Sequence, residues 1–127
     1  MKRVAHHNDI HNVRLAAGLT GFALRLPAET ILSFDQREHR IARARQVAMY
    51  LCHVVLGMSL ARIATAMGRD RSTVAHGCHR VEDFRDDPEI DAWLDDLESR
   101  LRVAANPVDV TRCQAHRQTP AERLQLI

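Results

Sequence analysis

The chain has 127 residues, of which 46% are apolar and only 4% aromatic, so we expect one domain with an aliphatic core. Such a composition favours helices packed on helices over a β-sandwich. The chain has three cysteines, an odd number, and no apolar signal segment, which excludes a secreted protein stabilised by disulfides and predicts a cytoplasmic location. The net charge of +2 conceals an asymmetry, because residues 1–85 carry 13 basic and 7 acidic side chains whereas residues 86–127 carry 5 and 9.

The N-terminal part predicts an interrupted helix. Apolar residues recur at roughly helical spacing over Ile10–Leu26, but Gly18 and Gly21 weaken the pattern. Residues 1–9 are polar, and we expect them to be mobile. Pro27 then begins a short helical turn.

The strongest helical pattern runs over Arg40–Leu56. Its apolar stripe, at positions i, i+3, i+4, i+7 and i+11, consists of Ala44, Val47, Ala48, Leu51 and Val55. Gly57 is expected to end this helix, and Ser59 can cap the next one, Leu60–Met67.

A helix with a polar leading end follows after Gly68. Asp70 can cap this helix, Arg71–Arg85, which predicts an apolar and a polar side. The apolar side carries Val74, Cys78 and Val81, and the polar side carries Ser72, His76, His79 and Asp83. Two short helices joined by a glycine turn, the second with a polar N-terminus, are typical of a DNA-binding helix-turn-helix.

Positive charge is concentrated around this motif. Residues 37–80 contain eight arginines against Glu38 and Asp70, and clustered positive charge attracts the phosphate backbone of nucleic acids. Alternatively, these arginines only keep an ordinary protein surface solvated. Capping alone is the alternative for the Ser and Thr that begin the second helix.

The last predicted helix, Glu89–Val103, has the opposite charge. Residues 86–98 contain seven acidic side chains and no Lys or Arg, so this face should point away from DNA. The helical pattern fades after Asn106, and we expect residues 104–127 to form a loose tail.

Catalytic and metal sites have little support in the sequence. His76, Cys78 and His79 do not share one helix face, and the chain has no CxxC pair, so we expect no metal. No nucleophile elbow, paired-carboxylate site or phosphate-binding loop is present. We therefore expect a non-enzyme without a cofactor.

Two blocks resemble the C-terminal, duplex-DNA-binding domain of the bacterial replication initiator DnaA. They are Ala42-Arg43-Ala44-Arg45-Gln46 with Met49-Tyr50-Leu51, and Gly68-Arg69-Asp70-Arg71-Ser72-Thr73-Val74 with His76 and Cys78. The family patterns are close to ARPRQ-A-MYL and GGRDHTTV.HAC.KI. The resemblance covers about residues 28–103. It supports an all-α fold of five or six helices built around a helix-turn-helix.

The resemblance also implies roles for residues. Base contacts in the major groove are implied for Asp70, Arg71, Ser72 and Thr73. Phosphate contacts are expected for Arg43, Arg45, Gln46, Arg62, Arg69, His76 and Arg80. A family arginine that enters the minor groove corresponds to position 37 when counted back from the Arg-Gln pair and to position 36 when counted forward. We favour Arg37 over Gln36, because a narrow minor groove attracts positive charge.

The chain departs from the family pattern at the tip of the motif. A single Gly68 replaces the double glycine, Arg71 replaces the usual histidine, and Ser72 replaces a threonine. Since arginine favours the O6 and N7 atoms of guanine, the preferred DNA site is expected to differ from that of the family. About 27 residues precede the matched region, and no GxxxxGK[ST] occurs, so the resemblance does not carry over ATP binding or origin melting.

The sequence therefore predicts sequence-specific binding of duplex DNA, modulating replication initiation or transcription from a nucleoid-associated position in the cytoplasm. The alternative is a protein-interaction module that binds the initiator or another partner through the acidic 86–98 helix and the tail. The predicted organisation is an extension with a possible helix, the helix-turn-helix domain and a tail, at 1–26, 27–103 and 104–127. Oligomeric state stays open.

Overall fold

A computed structural model describes residues 2–33 and 38–105, with side-chain environments from residue 8 onward. The prediction of an all-α domain is confirmed, because the described residues form six helices and no strand. The helices are α1 (Lys2–Leu24), α2 (Ala28–Leu32), α3 (His39–Val54), α4 (Leu60–Met67), α5 (Arg71–Phe84) and α6 (Pro88–Ala105).

The first helix corrects the sequence prediction, because α1 runs through both glycines without a break. One face of α1 is buried at Val13, Ala16, Ala17 and Thr20, which follow helical spacing and pack in the core. Burial of that face outweighs a cost of roughly 1 kcal/mol for each glycine in a helix. Residues 2–9, predicted to be mobile, belong to the same helix.

Gly21 serves the end of α1 and does not interrupt it. The backbone N–H of Leu26 donates to the carbonyl of Gly21 at 2.8 Å, and Arg25 between them has a positive φ of 61°. A Cβ at position 21 would lie 2.2 Å from the Leu26 carbonyl oxygen. The chain can therefore fold back over the end of the helix only if residue 21 is glycine.

Helix α3 lies at the centre of the domain, in contact with α1, α2, α4 and α5. The predicted stripe at Ala44, Val47, Ala48 and Leu51 is buried, and the neighbouring Met49, Tyr50 and Cys52 are buried as well. A helix enclosed by four others buries more than one face, which a single stripe in the sequence does not indicate.

The helix-turn-helix forms where it was predicted. Ser59 caps α4 by accepting a hydrogen bond from the backbone N–H of Arg62 at 3.1 Å. Gly68 ends α4 in the left-handed conformation, with φ 67°. Asp70 occupies the N-cap position of α5, but its side chain makes no capping hydrogen bond.

Helix α6 packs on α1 and is joined to the rest of the domain through Arg85. The Arg85 guanidinium donates to the Tyr50 hydroxyl at 2.8 Å and to Asp95 at 3.0 Å, and it also pairs with Asp91 and Glu98. Burial alone would lower the pKa of Arg85, but its hydrogen bonds to Asp91, Tyr50 and Asp95 raise that pKa overall. This one side chain therefore ties α3, α5 and α6 together.

No helix within the described ranges is both long and apolar enough to cross a membrane.

Candidate nucleic-acid interface

The N-terminal tip of α5 projects from the domain. Asp70, Arg71, Ser72 and Thr73 are all exposed, whereas Val74, the next residue, is completely buried. Val74, Cys78 and Val81 anchor the helix in the core, as their spacing predicted. The tip thus consists of polar side chains on a helix whose opposite side is held by packing, and the acidic α6 does not cover it.

A polar groove of about 200 Å³ lies between α3 and α5. Four of the predicted phosphate-contacting residues line it together: Arg43, Gln46, His76 and Arg80. His39 and Ala42 complete the lining. The side chains around the groove are arginine, histidine and amide groups with no carboxylate among them, which is a suitable environment for an anion.

His39 is the member of this groove that sequence reasoning missed. Its Nε2 atom lies 2.8 Å from Nη2 of Arg43 and accepts a hydrogen bond from it. The i, i+4 spacing of His39 and Arg43 at the start of a helix could have indicated in the sequence that the two side chains are neighbours.

Arg43 is held at the edge of the groove by several contacts. Its Nη1 donates to the Gln46 side-chain oxygen at 3.4 Å, and its guanidinium carbon lies 4.3 Å from the centre of the Phe84 ring. Burial and the nearby positive charge of Arg80 lower the pKa of Arg43. Arg43 still carries its charge at neutral pH, because an arginine starts from a very high pKa.

Arg45 does not lie at the surface where phosphate contact was predicted. Its side chain turns inward, where Nε donates to the Ile31 carbonyl at 2.8 Å and Nη2 to the Ser33 carbonyl at 2.9 Å. Only 8% of the residue is exposed. Burial, and then the charge of Arg69, lower the pKa of Arg45. Alternate residues of a helix point in different directions, so Arg43 and Arg45 serve different surroundings.

Arg62 and Arg69 are also engaged within the domain. The Arg62 guanidinium forms a two-point ion pair with Asp9, with Nε donating at 3.0 Å, and this pair raises the pKa of Arg62. Nη2 of Arg69 donates to the Ser33 carbonyl at 2.8 Å. Arg62 thus takes part in the α1–α4 contact and Arg69 lies at the end of α2, and their phosphate contacts stay predictions. Both internal contacts arise because acceptors distant in sequence meet these side chains.

Arg37, the predicted minor-groove residue, and its alternative Gln36 lie outside the described residues.

The acidic α6 uses most of its carboxylates within the domain. Asp91, Asp95 and Glu98 bind Arg85, and Asp96 pairs with Arg100 at 2.8 Å. Helix α6 packs against α1, and none of the residues that line the polar groove belongs to α6.

The two cysteines within the described residues are buried thiols. Burial raises the pKa of Cys52 to about 12 and that of Cys78 to about 11. Cys78 is a core residue, as predicted. Among the described residues no three His, Cys, Asp or Glu side chains are grouped to hold a metal ion.

Comparison with known proteins bears on the same region. Residues 23–81 match the family model of the bacterial dnaA protein helix-turn-helix. Over 69 residues the chain is 45% identical to the chromosomal replication initiator protein DnaA of Lachnoclostridium phytofermentans, a match that covers 53% of this chain and 15% of that protein. The chain therefore spans a small part of the length of this relative.

Two solved structures have the same fold. A crystal structure of a DNA replication initiation factor matches with a TM-score of 0.70 at 29% identity, over 79% of this chain and 31% of that one. A structure of replication initiator DnaA bound to AMPPCP and single-stranded DNA matches with a TM-score of 0.68 at 27% identity, over 79% and 30%. Together with the exposed α5 tip, these matches confirm the resemblance of residues 23–81 to the helix-turn-helix of bacterial DnaA.

Proposed function

We propose that this chain binds duplex DNA in a sequence-dependent manner and thereby modulates replication initiation at sites related to those of the initiator. One observation carries the proposal: Thr73, His76 and Arg80 lie at i, i+3 and i+7 along the exposed side of α5. The polar tip and the groove therefore belong to one continuous surface. A helix of this kind fits the major groove, which is about 12 Å wide.

The tip contacts bases and the groove contacts phosphates. Asp70, Arg71, Ser72 and Thr73 meet base edges, and Arg71 selects guanine through its O6 and N7 atoms. Arg43, Gln46, His76 and Arg80 contact phosphates, which sets the position of the helix on the duplex. Arg37 enters the adjacent minor groove.

Arg45 and Arg69 support this arrangement indirectly. Both donate to the carbonyl of Ser33, so the end of α2 is tied to α3 and to the turn of the motif. We assign these two arginines to holding the end of α2 in place.

Selection of duplexes from a random library by the full-length chain tests the proposal. A recovered sequence motif that changes at one position with Arg71→Ala supports base reading by the tip. Arg100→Ala is the matched control, because Arg100 is an exposed arginine on α6 that pairs with Asp96. Recovery of unenriched sequences by the folded wild-type chain would reject sequence-dependent binding.

The second candidate function, which also depends on DNA binding, is regulation of transcription from similar sites. Marker-frequency measurement and transcript profiling after overproduction of the chain separate the two. A changed origin-to-terminus ratio supports replication, and changed transcripts beside the selected motif with an unchanged ratio support transcription. The protein-interaction alternative would use the acidic residues 86–98, of which Asp91, Asp95 and Glu98 also pair with Arg85.

A further inference from the structure

Phe84, at the C-terminal end of α5, brings two cations from different helices to one place. The guanidinium carbon of Arg43, on α3, lies 4.3 Å from the centre of its ring, and that of Arg80, on α5, lies 5.8 Å from it. Both distances are within the range in which a cation is attracted to the negative face of an aromatic ring. Both arginines also line the polar groove between α3 and α5.

These two arginines differ from others in the described part of the chain. Arg62, Arg85, Arg100 and Arg102 each pair with a carboxylate, and no carboxylate of the described residues pairs with Arg43 or Arg80. Two like charges held close together repel each other. The aromatic ring offsets part of this repulsion without neutralising either charge, so both cations stay available to an external anion.

Contact with the ring occupies no hydrogen-bond donor of either guanidinium, although Arg43 uses Nη1 on Gln46 and Nη2 on His39. A guanidinium contacts a ring with its flat face and keeps its N–H groups in the plane, where they can reach a phosphate oxygen. Phe84 also borders an apolar cavity of about 270 Å³, which Arg43 lines together with Val47, Val81, Trp93 and Leu94. Phe84 itself is half-buried.

We propose that Phe84 is a positioning residue for DNA binding, which holds Arg43 and Arg80 together so that both reach the phosphate backbone. The inference rests on the proposed function and extends it to an aromatic residue at the C-terminal end of α5. Side chains that are already held in place lose less conformational entropy on binding. Phe84 should therefore raise the affinity for any duplex, whatever its sequence. It should not change the choice of base.

Equilibrium binding of Phe84→Leu and Phe84→Tyr to a selected and an unrelated duplex, over a range of salt, tests this proposal. Leucine keeps an apolar side chain against the cavity but lacks the ring. We expect Phe84→Leu to weaken binding about three- to tenfold on both duplexes and to reduce the salt slope by up to about one unit. Phe84→Tyr keeps the ring face and should bind like the wild type.

Two further measurements separate positioning from stability. In the free protein, the side-chain Nε–H signal of Arg43 should be displaced by the ring current in the wild type and return to an ordinary position in Phe84→Leu. In an Arg43→Ala background, Phe84→Leu should weaken DNA binding less than it does alone, because one of the two cations beside the ring is already absent. Melting temperatures of all variants provide the folding control.

The outcomes are distinguishable. Wild-type affinity and salt slope in Phe84→Leu would overturn the positioning role while leaving DNA binding intact. Equal losses in Phe84→Leu and Phe84→Tyr, with lowered melting temperatures, would assign Phe84 to packing alone. Failure of the wild-type chain to bind any duplex would remove the proposed function itself, and the positioning role with it.

Discussion

Arginines in two regions of this domain have different partners. The structural arginines are Arg45, Arg62 and Arg85, and the surface arginines are Arg43, Arg71 and Arg80. Each structural arginine donates to carbonyl or carboxylate oxygens supplied by another part of the fold. The surface arginines lack such a carboxylate within the described residues, and two of them lie within cation–π distance of the Phe84 ring. The residue type is the same in both regions, so the acceptors within reach decide the role.

The largest expected effect is the loss of Arg85. Arg85→Ala leaves Asp91, Asp95 and Glu98 without their cation, and Glu98 is almost completely buried. Of the remaining charges only the Glu98 carboxylate is left buried and unpaired with Arg85, and this stranded charge accounts for an expected loss of about 3 kcal/mol in the free energy of unfolding. Urea denaturation measures it. A loss of less than about 1 kcal/mol would show that solvent screens the network as it does on a surface.

Arg71→Ala should leave stability unchanged and affect DNA binding. We expect a cost of about 1–3 kcal/mol in binding free energy on the preferred duplex, with relaxed choice at one base pair. Arg71→His restores the family residue and should change the preferred base at that position. Titrations against duplexes with each of the four base pairs there measure both effects. An equal loss on every duplex would reduce Arg71 to a phosphate contact.

Arg43→Ala should weaken binding to all duplexes alike. Because one phosphate contact disappears, the slope of log affinity against log salt should fall by about one unit. Titrations on the preferred and an unrelated duplex at several salt concentrations provide the measurement. An unchanged slope would remove Arg43 from the interface and place it with the structural arginines.

Arg62→Ala is the counterpart of Arg43→Ala among the structural arginines, and it should have the smallest effect of the four variants. The variant loses the ion pair with Asp9, in which the Arg62 side chain is 49% exposed. Because solvent screens an exposed ion pair, we expect only a small decrease in the free energy of unfolding and an unchanged salt slope of DNA binding. Chemical denaturation together with the same salt titrations checks both. A reduced slope would return Arg62 to phosphate contact, the role that its sequence context suggested.

Local signals predicted the motif well. The bounds of α4 agree with the sequence, as do its serine cap and the left-handed Gly68, because capping and periodicity depend on residues within one or two turns. The same signals failed for α1, where Gly18 and Gly21 suggested an interruption. Its continuity comes from packing against α3, and Gly21 is needed for the turn that follows.

The candidate site was predicted only in part. Exposure of Asp70–Thr73 and the gathering of Arg43, Gln46, His76 and Arg80 agree with the sequence, because helical spacing alone sets which side a residue faces. The contacts that Arg45 and Arg62 make within the fold could not be predicted from the sequence. The Ile31 carbonyl is 14 residues from Arg45 and Asp9 is 53 residues from Arg62, so no local pattern connects them.

The sequence by itself determined the helices of the motif, the polar tip of α5 and the excess of positive charge around it. Those properties follow from short-range spacing, capping and composition. Only the tertiary structure decided which arginines remain available to an external anion and which are bound within the fold. That choice depends on acceptors, and on the ring of Phe84, that come together when distant segments pack.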